Sequence, residues 1–215
     1  MRLHSFLAIA LAMAPGVAFA SSITSATVYQ NTPNASDASD PANQGSTLAS
    51  ASFTIGSKGI DFETTTNDSD NTPLSAFLNN PTFSNEVNGF DPSAATDNSE
   101  IVLTGFLSLN AGANAFIVGH DDGVVVNVAG IGTVLSAPGP TGLNESPFNV
   151  NAPSAGDYAF TLEYSECCGG PADLIFDINN AAVGGSVVPE PGSMVLFGTG
   201  MLGLAGAVRR RFLTR

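Results

Sequence analysis

The sequence predicts an all-β protein built as an antiparallel β-sandwich, and three observations carry that expectation. Apolar residues fall in short runs with a period of two, the pattern of half-buried strands. Clusters of Gly, Pro, Asn and Asp separate the runs, and these are the residues that tight turns require. Between the two ends of the chain no long segment holds the 3.6-residue period of an amphipathic helix. Strands with one apolar face must bury it against a second layer, and two packed antiparallel sheets do so. Helices are expected only at the ends, one at the N-terminus and a short hydrophobic one at the C-terminus.

In chain order, residues 21–50 form a polar N-terminal segment in which 22–29 reads as one edge strand and 30–50 as loop. Residues 51–180 carry the sandwich. Within it, 52–55 and 59–63 read as two strands around the Gly56-Ser57-Lys58-Gly59 turn. Residues 64–97 are a long polar stretch with Phe77, Leu78, Phe83, Val87 and Phe90 as scattered anchors. Residues 100–109 (Glu-Ile-Val-Leu-Thr-Gly-Phe-Leu-Ser-Leu) form a strand by length and β-branched content. Strands at 115–118 and 124–128 flank Gly119-His120-Asp121-Asp122-Gly123, and 133–135 pairs locally. Strands at 158–164 and 173–178 complete the set, and 181–187 is a linker.

Charge narrows the possible partners. Residues 21–187 hold 18 acidic side chains against the single Lys58, a net of about −17 with His120 neutral. One cation cannot hold a phosphate backbone, so nucleic acid is excluded, as is an anionic membrane surface for this part of the chain. The acidity favours solubility and divalent cations. Catalysis finds no constellation. With His120 as the one histidine in 21–187 there is no Ser-His-Asp arrangement and no His-rich metal site. Nothing singles out a carboxylate pair for glycoside hydrolysis, so the chain reads as a non-enzyme.

The two ends read as addresses. Met1-Arg2-Leu3-His4 is a basic start, 6–13 an apolar core and Ala18-Phe19-Ala20 a small-x-small cleavage site, so 1–20 is a signal peptide for signal peptidase. At the other end, Val188-Pro189-Glu190-Pro191-Gly192 precedes the 16 uncharged residues 193–208 and then Arg209-Arg210-Arg211. That run is close to the lower limit of about 17 residues for spanning a bilayer core, and the arginines prefer its cytoplasmic side. The order of a Pro-Glu-Pro signal, an apolar segment and a basic stop resembles the PEP-CTERM sorting signal, here over 188–211 with a basic tail at 212–215. The resemblance implies a Gram-negative, exopolysaccharide-making source and recognition by an exosortase-type transpeptidase in the inner membrane. It also implies cleavage near Pro189-Glu190-Pro191 and delivery to the outer surface or extracellular matrix. The membrane would then be a partner only through the C-terminal segment, before processing.

A second resemblance lies in the middle of the chain. Residues 115–130 (Ala-Phe-Ile-Val-Gly-His-Asp-Asp-Gly-Val-Val-Val-Asn-Val-Ala-Gly), followed by 155–164 (Ala-Gly-Asp-Tyr-Ala-Phe-Thr-Leu-Glu-Tyr), resemble the PA14 β-sandwich family. Glu166-Cys167-Cys168-Gly169-Gly170-Pro171 stands where that family has an acidic or amide residue and a Gly-rich loop. The likeness spans about residues 100–178. It departs from the family at Ala129-Gly130, often Asp-Gly there, and in having no tryptophan. Some PA14-like lectins bind sugar through Ca2+ held by two successive aspartates joined by a cis peptide. Carried over, this implies Asp121 and Asp122 as metal ligands, Glu166 in place of an asparagine, and the carbonyls of Cys168 and Gly170 as further donors. Calcium takes six to eight hard oxygens at about 2.3–2.6 Å, which suits such a set.

Each of these residues has a plainer reading. Asp121-Asp122-Gly123 is also a good hairpin turn, since Asp and Gly tolerate positive φ. His120 could face the site or serve the fold. Cys167-Cys168 is the only cysteine pair and sits in an oxidising compartment, so a vicinal disulfide is expected over two thiols or intermolecular bridges. Such a bridge would be a rigid apolar knuckle able to pack on a sugar face. The chain is therefore expected to be an exported surface or matrix protein that binds extracellular polysaccharide, with a ligand-free structural component of the biofilm matrix as the alternative.

Overall fold

The computed structural model describes residues 21–33, 36–38, 40, 47–64, 68–185 and 199–200. Two compact units are distinguished, Ala20–Pro191 and a second made of Met1–Phe19 with Gly192–Arg215. Only 199–200, in helical conformation, are described in the second unit. The signal peptide at 1–20 and the sorting segment, with Pro189, Glu190, Pro191, Arg209, Arg210 and Arg211, lie outside the described residues. Among the described residues no helix is long and apolar enough to cross a membrane.

Ala20–Pro191 is an all-β sandwich. Its strands are β1 (Ser22–Gln30), β2 (Ala49–Phe53), β3 (Asp61–Glu63), β4 (Phe83–Val87), β5 (Ser99–Leu109) and β6 (Gly112–Asp121). They continue with β7 (Gly123–Val128), β8 (Gly132–Ala137), β9 (Asn144–Ala152), β10 (Gly156–Glu166), β11 (Asp173–Ile178) and β12 (Ala181–Ala182). The larger sheet runs β4-β2-β1-β5-β10-β7-β8; the smaller runs β12-β11-β6-β9, with β3 also paired to β11. Every described strand pair is antiparallel, and β10 lies along β5 in unbroken register from Gly156↔Leu109 to Glu166↔Ser99.

Period two decides what enters the core. From the larger sheet come Ile101, Leu103, Leu107 and Leu109 of β5, Val124, Val126 and Val128 of β7, and Phe160, Leu162 and Tyr164 of β10. The smaller sheet answers with Phe116 and Val118 of β6 and Leu174, Phe176 and Ile178 of β11. A ring contact joins the layers, Phe160 of β10 meeting Phe176 of β11 at 5.9 Å between centroids, and within the smaller sheet Phe176 meets Phe116 at 5.7 Å. A second aromatic line, Phe53–Phe62–Phe77–Tyr164, runs toward one end of the sandwich with centroids 5.9–6.2 Å apart.

Several elements differ from the sequence expectations, each for a tertiary reason. β1 is not an edge strand: it lies between β2 and β5 and buries Ala26, Val28 and Gln30. Residues 52–55 and 59–63 do not make a hairpin, because β2 belongs to the larger sheet and β3 to the smaller. The polar stretch 64–97 holds a one-turn helix, α1 (Leu74–Phe77), and β4; its anchors Phe77, Leu78 and Phe90 are buried while Val87 stays exposed. β9 is an additional strand whose Pro147 and three asparagines disguise it. It sits at the edge of its sheet, where a proline without an N–H is tolerated. The largest revision concerns the Asp-Asp-Gly turn. β6 and β7 belong to different sheets, so Asp121-Asp122-Gly123 is a corner where the chain crosses the sandwich, not a hairpin.

Phe176 and Phe106 test this division of faces. Phe176→Ala should destabilise the fold by about 3–5 kcal/mol through the cavity it leaves between the sheets. Phe106, 44% exposed on the outer face, should change stability by less than about 0.5 kcal/mol as Phe106→Ala. Urea unfolding of both variants reads the difference.

Candidate metal centre

At one end of the sandwich the inward-facing rows turn polar. β10 continues Phe160, Leu162, Tyr164 into Glu166, and β6 continues Phe116, Val118 into His120, all buried. These side chains close on the crossing corner. The Tyr164 hydroxyl bonds the Asp121 carbonyl and also lies 2.8 Å from Glu166 Oε2. His120 Nδ1 lies 2.6 Å from the Asp122 carbonyl oxygen, the arrangement of an N–H donor on that nitrogen. The Asp121–Asp122 peptide is cis. Gly123 completes the corner because a Cβ there would come within 2.7 Å of the Pro138 carbonyl oxygen and 2.8 Å of that of Ser36.

Two loops hold the carboxylates from outside. Asp122 Oδ1 accepts the Thr141 backbone N–H at 2.8 Å and Oδ2 that of Cys167 at 3.0 Å. The Leu143 backbone supplies a hydrogen bond to the Asp121 carboxylate. The result is a cluster of three acids, Asp121, Asp122 and Glu166, with one carboxylate oxygen from each within 4.8 Å of the others. Asp121 and Asp122 are 5% exposed and Glu166 is fully buried. Glu166 Oε1 has no hydrogen-bond partner among the described residues, and neither does the buried Ser69 hydroxyl. Ser69 is near enough to favour the ionised form of Glu166, yet no hydrogen bond closes between them.

A buried carboxylate must be neutralised by a proton or a cation. Lys58, the single basic residue of the exported body, stands on the β2–β3 connection. Without a cation, burial favours the protonated forms of Glu166 and Asp121. Burial pushes Glu166 up to about 9; the Tyr164 hydroxyl offsets part of this, and the charges of Asp122 and Asp121 add to it. Burial, then the charges of Asp122 and Asp173, raise Asp121 to about 6. Tyr164 is raised well above its usual value, first by burial and then by Glu166, so its hydroxyl stays protonated. Three buried carboxylates, one of them with an unpaired oxygen, make a hard donor set that fits calcium, which takes only oxygen ligands.

The structure thus brings together Asp121, Asp122 and Glu166, and with them His120, Cys167 and Cys168. His120 is 2% exposed and supports the corner from inside. Cys167 and Cys168 form a vicinal disulfide, with Cys167 buried and Cys168 exposed. The Gly170 carbonyl accepts the Ser69 N–H at 2.6 Å and so ties the neighbouring loop to this one. Tyr164 is legible in hindsight from its place in the alternating row. Thr141, Leu143 and Ser69 give no sequence signal, because their loops reach the corner only through the fold.

Residues 187–211 match the PEP-CTERM protein-sorting motif, so the chain carries this signal for export and surface sorting. No curated protein matches the chain. Among solved structures, the PA14 domain of the antifreeze protein MpAFP superposes with a TM-score of 0.54 at 22% identity, covering 77% of this chain and 84% of that one. The described sandwich is accordingly PA14-like. A PA14 sugar-binding domain from an RTX adhesin gives 0.49 at 20% identity, covering 78% and 93%. The epithelial adhesin 6 A domain of Candida glabrata, solved with Galβ1-3GlcNAc, gives 0.44 at 13%, covering 79% and 88%.

The protonated corner sets a pH dependence with a definite sign. Asp121 and Glu166 have folded values above their unfolded ones, so their stabilising contribution is complete at low pH. It is lost as pH rises through about 6 and then about 9. In the presence of a chelator the Tm should fall between pH 5 and pH 9 (~4 pH units, bracketing both groups). Glu166→Gln should remove most of the loss in the upper half of that range, as followed by thermal denaturation.

Proposed function

We propose that the chain is an exported surface or matrix protein whose PA14-like sandwich binds extracellular carbohydrate with the help of a divalent cation held by Asp121, Asp122 and Glu166. One observation carries the reading: three buried carboxylates converge on one point, and Glu166 Oε1 there lacks any partner among the described residues. A bound Ca2+ would neutralise these acids and, with three side chains supplying part of its six to eight oxygens, offer open positions to a pair of sugar hydroxyls. The chain's own residues do the rest. Tyr164 and His120 hold the corner carbonyls, and the Thr141 and Cys167 backbone amides orient Asp122. Leu143, 53% exposed, and the exposed Cys168 follow directly on these contacts and give the rim apolar surface of the kind sugar rings pack on.

The sorting motif at 187–211 supports the itinerary. After signal peptidase removes 1–20, the C-terminal segment holds the chain in the inner membrane until an exosortase-type transpeptidase cuts near Pro189-Glu190-Pro191. The body then reaches the outer surface or the matrix of a Gram-negative cell. A net charge of about −17 on 21–187 favours the second reading, a ligand-free structural matrix component, if no cation binds.

Calorimetric titration with Ca2+ should show one saturable site in the purified chain. Glu166→Gln, which keeps the shape of the side chain, should weaken it by at least about tenfold, and Asp122→Ala should abolish it. Retention on acidic or neutral polysaccharide should require Ca2+ and fail in both variants. Retention that survives chelation and both substitutions would instead leave the structural role.

A further inference from the structure

Asp122 belongs to two donor sets. One is the oxygen set with Asp121 and Glu166; in the other, Asp122 and the Cys167 and Cys168 sulfurs lie within 4.8 Å of one another. The second set depends on oxidation state. Joined in the disulfide, the sulfurs are neutral and poor metal ligands. Separated, each is a thiol that yields a thiolate, the ligand that selects borderline and soft ions. We propose that the Cys167–Cys168 bond is a metal-selectivity element: intact, it keeps sulfur chemistry out of the corner, and reduced, it releases Cys167, Cys168 and Asp122 as a three-ligand site for zinc.

The surroundings support both halves. The loop does not rely on the disulfide for its position. Cys167 N–H donates to Asp122 Oδ2 at 3.0 Å, Gly169 N–H to Asp97 Oδ1 at 3.3 Å, and the Gly170 carbonyl accepts Ser69 N–H at 2.6 Å. Opening the bond therefore leaves two thiols beside Asp122. The exposed Cys168 sulfur is the point of attack, and the buried Cys167 sulfur is the leaving group. With a phosphine as reductant, the disulfide gains two electrons and two protons to become two thiols, while the phosphine takes oxygen from water to become its oxide. Zinc binding then releases both thiol protons to solvent. Two thiolates at about 2.3 Å and one carboxylate at about 2.0–2.2 Å leave one tetrahedral position open. Zinc and copper outrank calcium for most sites, so a chain working in an oxidising exterior gains selectivity by masking its sulfurs.

The inference rests on the corner's being a cation site only for what the intact bond protects. The test uses Zn2+ alone on the full-length chain, as purified and after phosphine reduction under anaerobic conditions. Reduction should tighten one-to-one zinc binding by at least about 100-fold. The double variant Cys167→Ser/Cys168→Ser should lose that gain while keeping the circular-dichroism spectrum of the parent. Co2+ in place of zinc should give thiolate-to-metal charge-transfer absorption in the reduced parent alone. Zinc binding that is unchanged by reduction, a gain that survives in the serine variant, or reduced protein without the cobalt band would each overturn the proposal. Calcium is titrated separately into the oxidised chain: failure there removes the calcium-lectin reading, whereas the zinc result decides this one.

Discussion

The register of β10 between β5 and β7 is the constraint on which the rest of the structure depends. β10 pairs with β5 along its whole length, from Gly156↔Leu109 to Glu166↔Ser99, and with β7 from Phe160↔Val128 to Ser165↔Gly123. Because side chains alternate, that register sends Phe160, Leu162, Tyr164 and Glu166 into one row facing the smaller sheet. A slip of one residue would turn the whole row to solvent and lose both the aromatic core and the acid corner. The same register sets Ser165 opposite Gly123, which places the end of β10 beside the chain crossing. Core and site are two ends of one alternating row.

What distinguishes the two ends is the kind of free energy each contributes. In the middle, burial of Leu162, Phe160 and Phe176 is stabilising at roughly 25 cal/mol per Å² of apolar surface. At the end, burying Glu166, Asp121 and Asp122 is unfavourable unless a proton or cation accompanies them. Tyr164 joins the two regimes. Its ring stacks on Phe77 with centroids 6.1 Å apart, while its hydroxyl bonds the Asp121 carbonyl and Glu166. The sandwich thus spends part of its packing energy holding a polar cluster in a fixed shape, an arrangement that suits a site whose ligand completes the charge balance. The disulfide extends this economy of position: Cys167 orients Asp122 through its amide while its sulfur is withheld by Cys168.

Much of this was legible residue by residue. The alternation in 100–109 and 158–164 reads directly as strands, and the structure extends them to Ser99–Leu109 and Gly156–Glu166. Asp121, Asp122 and Glu166 stood out as a set only through the resemblance of 115–130 and the Cys-Cys-Gly-Gly loop to PA14 lectins; composition would not have chosen three acids from 18. β9 escaped because Pro147 and its asparagines carry loop statistics, and the edge position that excuses them is a property of the sheet. The Asp-Asp-Gly segment read equally well as a hairpin because turn propensity is local, whereas membership of β6 and β7 in opposite sheets is not.

By itself the sequence determined the all-β class, the alternating core rows, the net acidity of 21–187, and the sorting motif at its C-terminus. These follow from composition and from periods of a few residues, which a chain carries wherever it goes. Tertiary structure alone decided that β1 is central, that the chain crosses between sheets at Asp122, and that loops 68–70, 138–143 and 166–171 meet there. It also decided that Glu166 is buried with one oxygen unpaired among the described residues, since burial is set by what packs over a residue from elsewhere in the chain. The reason is one of range: strand propensity acts between neighbours, but the acid corner is made by contacts such as Asp122 with Cys167, 45 residues apart.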